Sequence, residues 1–535
     1  RDLHSFPTRR SSDLREKDLS PSDKLLFQNA KSKEISSWLS TETVRRIARS
    51  QIPAEQILRS RWVLTWKPLE PNPTDPSAAT HKPKARLVIL GYEDPQLDEM
   101  ARDSPTMGRD ARVLIMQYAA SARWRLRSFD IQTAFLRGSR KDGRVLGMEP
   151  PAEMRTMMKL EPWECCELLK SAYGLCNAPL LWYEELKNAL VSLGFVMSPL
   201  DPCTFVLPKK GQSGIHGLVG IHVDDGLGAG DDTFNRAIQQ LEARYPFGSK
   251  LQDDFTFTGI HIHQNWDGSI ELDQQKYIED IPPIELITEK ERQALRGLVG
   301  SIQYAATNTR PDLSAKLSFL QAKINSAQVK DLLDGNRLLT EAKQHKGTKI
   351  VIQSIPIQDL RFVSFSDASF ATRANSQSQK GCLILAASKE IGEWQSSQVS
   401  PLMWYSRKIA RVVGSTLASE TYALSGSVDL LSWLRVQWSW LCQPSDLWKD
   451  PDKCLSMCPE SYAIVDCKSL YDLIQKTTVP QCQEYRTTLE ALIIKDRLRN
   501  GIVIKWVHSA AQLADCLTKD RKSTRLNSSH VKRSR

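Results

Sequence analysis

The stretch at 218–230 restricts the fold more than any other: Leu-Val-Gly-Ile-His-Val-Asp-Asp-Gly-Leu-Gly-Ala-Gly. Leu218, Val219, Ile221 and Val223 form an apolar run that reaches two adjacent carboxylates, Asp224 and Asp225, and resumes at Leu227 and Ala229. Strand-formers on both sides of a short polar step predict a hairpin with the acidic pair at or beside its tight turn. Adjacent like charges repel, and in an apolar setting they need a cation or another donor. A divalent metal is one answer, because Mg²⁺ takes carboxylate oxygens together with substrate phosphates. A solvated Asp-Asp-Gly turn between two strands is the ordinary alternative.

The chain has 535 residues, enough for about three or four domains of roughly 150 residues. With 41% hydrophobic and 25% charged residues it reads as globular. No apolar run approaches the ~20 residues that span a bilayer, and no apolar signal segment follows the N-terminus, so no membrane role is expected. Eleven cysteines lack paired spacing: Cys165 and Cys166 are adjacent, and Cys454 and Cys458 have no second pair, so a reduced intracellular protein without a zinc site is expected. The net charge of +10 is inflated by the ends. Residues 1–14 carry +1 and residues 520–535 carry +5, and both segments resemble translated sequencing adapters, which leaves +4 between them. That mild basic excess permits nucleic-acid binding without demanding it. The first residue is not Met, so a fragment of a longer product is expected.

Residues 15–60 are polar and mostly helical in pattern, interrupted at Pro21 and Pro53. Residues 61–67 alternate like a strand, a loop with Pro68, Pro71, Pro73 and Pro76 follows, and 84–90 forms a second strand candidate. Lys84 and Arg86 then share one face, either as charges on an edge strand or as a cationic finger that grips phosphates. Residues 103–127 are helical in pattern, and 127–136 reads as a strand turning into a short helix, with Asp130 directly after Phe129. Alone, Asp130 is an ordinary helix cap. Two distant strands that deliver Asp130 and Asp224 to one spot would form a two-metal site for phosphoryl transfer. Residues 182–195 form an amphipathic helix with a Gly stop.

The order Lys84-Ala-Arg86, Phe129-Asp130, Ala134-Phe135-Leu136, Tyr173-Gly174-Leu175, Pro179, Trp182, Asp201-Pro202 and Val223-Asp224-Asp225 resembles the reverse transcriptase of Ty1/copia-type LTR retrotransposons. The resemblance covers about 61–259 and returns at 300–313. It implies an α+β polymerase right hand (fingers, palm, thumb/connection). Lys84 and Arg86 would lie against the incoming triphosphate. Asp130, Asp224 and Asp225 would be the catalytic, metal-binding triad, Phe135 the ring that excludes a 2′-hydroxyl, and Asn177 a nucleotide contact. The chain departs from the family pattern at His222, Cys176 and Asn177. Asp312, in Arg310-Pro-Asp312, is read as part of a helix start with Pro at its first position, and His345 to Thr348 as a helix end.

A second carboxylate set follows. Asp367 ends a strand-like run, Glu420 lies on a helical segment at 415–424, Asp466 ends the run at 462–466, and Asp515 follows a strand at 502–507 and His508. This ordered set resembles a ribonuclease H domain, an α/β fold with a mixed sheet. The resemblance implies metal ligation by Asp367, Glu420, Asp466 and Asp515, with His508 either on a loop that aids product release or an ordinary loop residue. The expected division is 15–60, an N-terminal segment; 61–259, fingers and palm; 260–355, thumb/connection; and 360–519, ribonuclease H-like. The implied function is RNA-directed DNA polymerase with ribonuclease H activity, using Mg²⁺, or Mn²⁺ in its place. The implied partners are an RNA template, a DNA primer, the RNA–DNA hybrid, deoxynucleoside triphosphates and other polyprotein products such as capsid and integrase. The implied setting is a cytoplasmic virus-like particle, with later nuclear entry of the product. A degenerate or co-opted copy that only binds nucleic acid, and a nuclease with a dead polymerase, are the competing readings.

Overall fold

The computed structural model describes residues 14–68, 81–140, 143–281, 291–372, 377–393, 395–480 and 482–519. The adapter-like segments 1–13 and 520–535, and the loop prolines Pro71, Pro73 and Pro76, lie outside the described residues. Leu14, counted from sequence with the N-terminal adapter-like segment, bridges to Leu64.

The acidic stretch is a hairpin. Strands Ile215–His222 and Asp225–Gly230 pair antiparallel, closed by His222 opposite Asp225, so Val223 and Asp224 form the two-residue turn. The glycine of Asp-Asp-Gly is therefore not in the turn but in the strand. A Cβ at Gly226 would lie 2.2 Å from the Phe129 ring, which stacks on Phe247 at 4.4 Å. The hairpin sits inside a six-stranded sheet in the order Phe247–Gln252, Arg127–Ile131, Asp225–Gly230, Ile215–His222, Thr204–Pro208, Val196–Met197. Period-two alternation divides the strand side chains between two cores. Leu218 and Leu227 pack with the helix Arg109–Ala122, whereas Val219 and Ile221 pack with the helices Ala178–Ser192 and Asp232–Arg244. Gly194, at φ +92°, supplies the left-handed residue after the second of these helices, the stop read from sequence.

Two sequence expectations are corrected here. The helix expected over 103–127 begins only at Arg109, because Asp201 ties down the backbone before it: its Oδ2 accepts from Gly108 N at 2.8 Å and its Oδ1 from Cys203 N at 2.9 Å. Within 15–60, Pro21 opens the helix Pro21–Ser40 rather than breaking one, and Val44–Ala48 is a strand. That strand pairs with Glu164–Leu168 in a small four-stranded sheet. The helix Pro21–Ser40 supports the hairpin of Ser60–Pro68 and His81–Ile89, where Glu34 Oε1 accepts from Leu87 N at 3.3 Å.

Strands Asp254–Phe257, Ile260–Gln264, Ile270–Asp273 and Ile350–Ile352 form a further sheet, and the expected boundary at 259/260 falls inside its first hairpin. Helices Glu291–Asn308, Ser314–Gln321 and Val329–Gln344 bury a separate apolar cluster. Arg310 is fully buried there, paired to Asp312 at 2.7 Å and donating to the Ala342 and His345 carbonyls, so Asp312 serves structure. The helix Val329–Gln344 ends at His345 as expected.

The C-terminal sheet has the order Val399–Lys408, Gln379–Ser388, Leu360–Ser369, Ser461–Val465, Ile502–Trp506. Its two pairings along Ser461–Val465 are parallel and the others antiparallel, which makes it mixed. The helix carrying Glu420 runs from Thr416 to Cys442, well past the expected 424. Its outer face meets the helix Arg109–Ala122: Asp110 Oδ2 accepts from Trp433 Nε1 at 2.7 Å and Gln437 Nε2 at 2.6 Å. One apolar core runs through this contact, from Leu114 and Leu227 to Leu431 and Ile464. No helix among the described residues is long and apolar enough to cross a membrane.

Candidate active sites

Three carboxylates converge at the turn of the central hairpin. Asp225 lies opposite Asp130 in the strand register, and Asp224 occupies the turn. Each offers an oxygen within 4.8 Å of the others. The turn is held in a costly shape. Val223 has φ +62°, a position where two-residue hairpins favour Gly and where a β-branched residue is an outlier. Its carbonyl accepts from Trp182 Nε1 at 2.9 Å, and the Asp224 carbonyl from Ile131 N at 3.0 Å. Burial, and then the charges of Asp224 and Asp130, push the Asp225 carboxyl up to about 7. Burial and Asp224 also raise Asp130, against the pull of Lys67, Lys84 and Arg86.

Those three cations come from the long hairpin. Its register places Lys67 opposite Lys82, Thr65 opposite Lys84 and Val63 opposite Arg86, so Lys67, Lys82, Lys84 and Arg86 share one face. Burial, then Arg86 and Lys67, lower the Lys84 ammonium. Lys67 was not singled out from sequence. Only the register, and not the spacing along one strand, reveals it.

Phe135 meets Tyr173 edge-on with ring centroids 5.7 Å apart, and the Arg86 guanidinium lies 5.7 Å from the same tyrosine ring. A line of contacts thus runs from the cationic face to the short helix after Asp130. Asn177 lies just before the helix Ala178–Ser192, and its amide contacts Met100 Sδ at 3.5 Å. The His222 ring meets Phe257 at 6.5 Å.

In the C-terminal sheet Asp367, Glu420 and Asp466 converge in the same manner, within 4.8 Å. Burial pushes Asp367 up to about 6, opposed by the Thr518 hydroxyl and Lys519. Burial, then Asp367 and Asp466, raise Glu420 well above the carboxylate range. The fourth expected member, Asp515, is not in this trio. It sits in the turn Leu513–Leu517 and pairs with Lys519. His508 caps the preceding turn, Ser509–Ala511, its Nδ1 accepting from Ala510 N at 3.1 Å. Thr518 and Lys519 had no role assigned from sequence.

Both trios suit a hard divalent cation. They are all-oxygen, mutually repelling and partly buried, and a +2 charge would relieve the repulsion that lifts Asp225 and Glu420.

An acidic two-residue turn at the centre of an antiparallel sheet thus faces a cationic hairpin. Residues 52–292 match the family described as reverse transcriptase (RNA-dependent DNA polymerase) and form such a domain. The homologues are Ty1/copia-type retrotransposon Pol polyproteins. The Retrovirus-related Pol polyprotein from transposon RE1 of Arabidopsis thaliana is 28% identical over 404 residues, covering 71% of this chain and 26% of its own length. The truncated transposon Ty1-A Gag-Pol polyprotein of Saccharomyces cerevisiae is 23% identical, with 91% of this chain and 40% of that protein covered. The chain thus spans about a quarter of the length of the Arabidopsis relative. Among solved structures, a foamy viral protease-reverse transcriptase in complex with double-stranded DNA shares the fold at a TM-score of 0.51 and 11% identity, over 94% of this chain and 72% of that one.

Proposed function

We propose that this chain is an RNA-directed DNA polymerase with ribonuclease H activity, which copies retrotransposon RNA into DNA and degrades the RNA of the resulting hybrid. The observation that carries the proposal is the convergence of Asp130, Asp224 and Asp225 opposite the cationic face of Lys67, Lys84 and Arg86. Acid on one side and base on the other match the two halves of a metal–triphosphate substrate.

Asp130, Asp224 and Asp225 would hold Mg²⁺, with Mn²⁺ able to replace it, and a bound ion there supplies an activated primer 3′-hydroxyl and a neutralised triphosphate. Lys84 and Arg86 bind the triphosphate, and an anion beside Lys84 offsets the burial and like-charge repulsion that disfavour its ammonium. Phe135, braced by Tyr173, follows five residues after Asp130 and closes the sugar side against a 2′-hydroxyl. Asp367, Glu420 and Asp466 would hold the ions of the nuclease, where water replaces the primer hydroxyl as nucleophile. Hybrid recognition runs through backbone and 2′-hydroxyl groups rather than base edges. The partners follow: RNA template, DNA primer, deoxynucleoside triphosphates, and capsid and integrase products within a cytoplasmic virus-like particle. The functional division is residues up to 252 for fingers and palm, 254–355 for thumb and connection, and 360–519 for the nuclease.

The test is primer extension on an RNA template with Mg²⁺, followed by cleavage of a preformed hybrid. Asp224→Asn should abolish extension and spare cleavage, and Asp367→Asn should do the reverse. Extension that persisted in Asp224→Asn would overturn the polymerase site. A parent protein that binds the template but neither extends nor cleaves would overturn the enzymatic proposal.

A further inference from the structure

Two of the three carboxylates in the nuclease cluster are held at their oxygens. The Thr518 hydroxyl donates to Asp367 Oδ2, and Ala368 N donates to Glu420 Oε1 at 3.3 Å. Both residues are buried as well, at 2% and 5% exposure, whereas Asp466 is half-buried. Asp466 directly follows the strand Ser461–Val465 and comes two residues before the helix Lys468–Gln475, where the chain leaves the sheet. Burial alone therefore does less to fix its direction.

The neighbouring strand supplies a hold. Ile502–Trp506 pairs parallel with Ser461–Val465, with Trp506 opposite Val465. Val507 N donates to the Val465 carbonyl at 3.0 Å, and the chain then turns at His508. A side chain carries the pairing one residue further: Trp506 Nε1 donates to the Asp466 carbonyl at 2.9 Å. The ring is braced from the helix that follows Asp466. The Lys468 ammonium lies 5.8 Å from the Trp506 ring and 4.7 Å from that of Tyr471, and pairs with Asp472 at 2.7 Å. Trp506 is thus held between the end of one strand and the start of the helix on the other side of Asp466.

We propose that Trp506 is a positioning residue of the nuclease site: its indole N–H fixes the backbone of Asp466 and so aims that carboxylate at the divalent metal held with Asp367 and Glu420. The inference rests on the metal-binding reading of the cluster. Its physical basis is preorganisation. Hydrogen bonds behind a metal ligand orient it before the metal arrives, and losing one costs about 10- to 100-fold in metal affinity or activity. An indole carries one donor on a rigid ring, so the bond to Asp466 has one geometry.

The experiment measures Mn²⁺ binding by electron paramagnetic resonance in the full chain, with Asp130→Asn and Asp224→Asn present to silence the other acidic trio. Trp506 is 37% exposed, so Trp506→Phe removes the donor without opening a buried cavity. It should raise the Mn²⁺ dissociation constant about 10- to 100-fold. In the chain without the two Asn changes, Trp506→Phe should lower kcat of hybrid cleavage and leave both KM for the hybrid and primer extension unchanged. Cleavage should return as Mn²⁺ is raised. Trp506→benzothienylalanine, which places sulfur where the N–H stands and keeps the ring shape, should behave in the same way and serves if Trp506→Phe does not fold. Unchanged Mn²⁺ affinity in the folded variant would overturn the proposal. So would a raised KM for the hybrid with kcat kept, which would make the ring a nucleic-acid contact, or a joint loss of extension and cleavage, which would make it a support of the whole chain. Absence of Mn²⁺ binding from the background chain would instead overturn the metal-binding reading beneath it.

Discussion

The indole of Trp182 donates to the carbonyl of Val223, 2.9 Å away, and so pins the residue whose φ of +62° shapes the acidic turn. A non-glycine residue held there costs on the order of 1–3 kcal/mol, and it persists only where surrounding contacts over-determine it. Trp182, fully buried on the helix Ala178–Ser192, supplies such a contact. Trp182→Phe keeps the apolar packing and removes the donor. Its expected cost is about 1–3 kcal/mol of stability, from a carbonyl left without its partner. Primer extension should fall while hybrid cleavage is kept. Equal losses of the two activities would show instead that Trp182 supports the whole chain.

Asp225 yields a prediction about pH and metal. Its carboxyl titrates near pH 7 when folded but near ~3.9 when unfolded, so the folded state binds the extra proton between those values. Stability therefore falls as pH rises from about 4 to about 7. Asp225→Asn removes the titrating group and should flatten this limb, raising Tm of the metal-free protein by a few degrees at pH 8. Mg²⁺ should raise Tm of the parent through binding to the folded state, and raise it less in the variant. A pH profile that Asp225→Asn leaves unchanged would show that other groups set it.

The acidic positions were legible in the sequence because each follows a strand or sits on a helix whose periodicity is plain: Asp130 after Phe129, Asp224 after Val223, Asp466 after Val465. What one dimension hides is the partner. Lys67 joins Lys84 only through the pairing of two strands, and Trp506 reaches Asp466 only through the parallel pairing of two others. The strand Val44–Ala48 escaped for another reason. Arg45 and Arg46 are exposed and Arg45 pairs with Glu167, so hydrophobic alternation, the signal of a strand, is missing. The Gly of Asp-Asp-Gly left two readings open, because a turn and a close approach both call for glycine. Only the Phe129 ring decides between them.

Gly381 separates the two activities from the other side. Its absent Cβ lets the turn Leu513–Leu517 lie directly on the strand Gln379–Ser388. Gly381→Ala forces that turn outward and moves Thr518 away from Asp367. The expected overpacking cost is about 1–3 kcal/mol, and hybrid cleavage should drop sharply while primer extension remains near that of the parent. Retained cleavage would mean that the C-terminal turn does not shape the nuclease site.

His261 sets a second pH limit, of the same sign but at higher pH, on the sheet beyond the acidic hairpin. Its Nδ1 lies 2.9 Å from Asp273 Oδ2 and its Nε2 3.1 Å from Asp254 Oδ1, while His263 Nδ1 lies 2.8 Å from the other Asp254 oxygen. Two carboxylates on both ring nitrogens favour the imidazolium. Burial acts against it, but the bonds to Asp273 and Asp254 outweigh burial and raise the His261 pKa. A raised histidine pKa contributes stability that is complete below about 6.5 and is lost as pH climbs through the folded value. The carboxylate of Asp254 is lowered by His261 and His263, so its contribution is instead lost on acidification. With Asp225→Asn present to remove the overlapping limb of the same sign, Tm should decline as pH rises from about 6.5 to 8. His261→Gln keeps a polar side chain without the titration and should abolish that decline. Persistence of the decline in His261→Gln would assign it to another group.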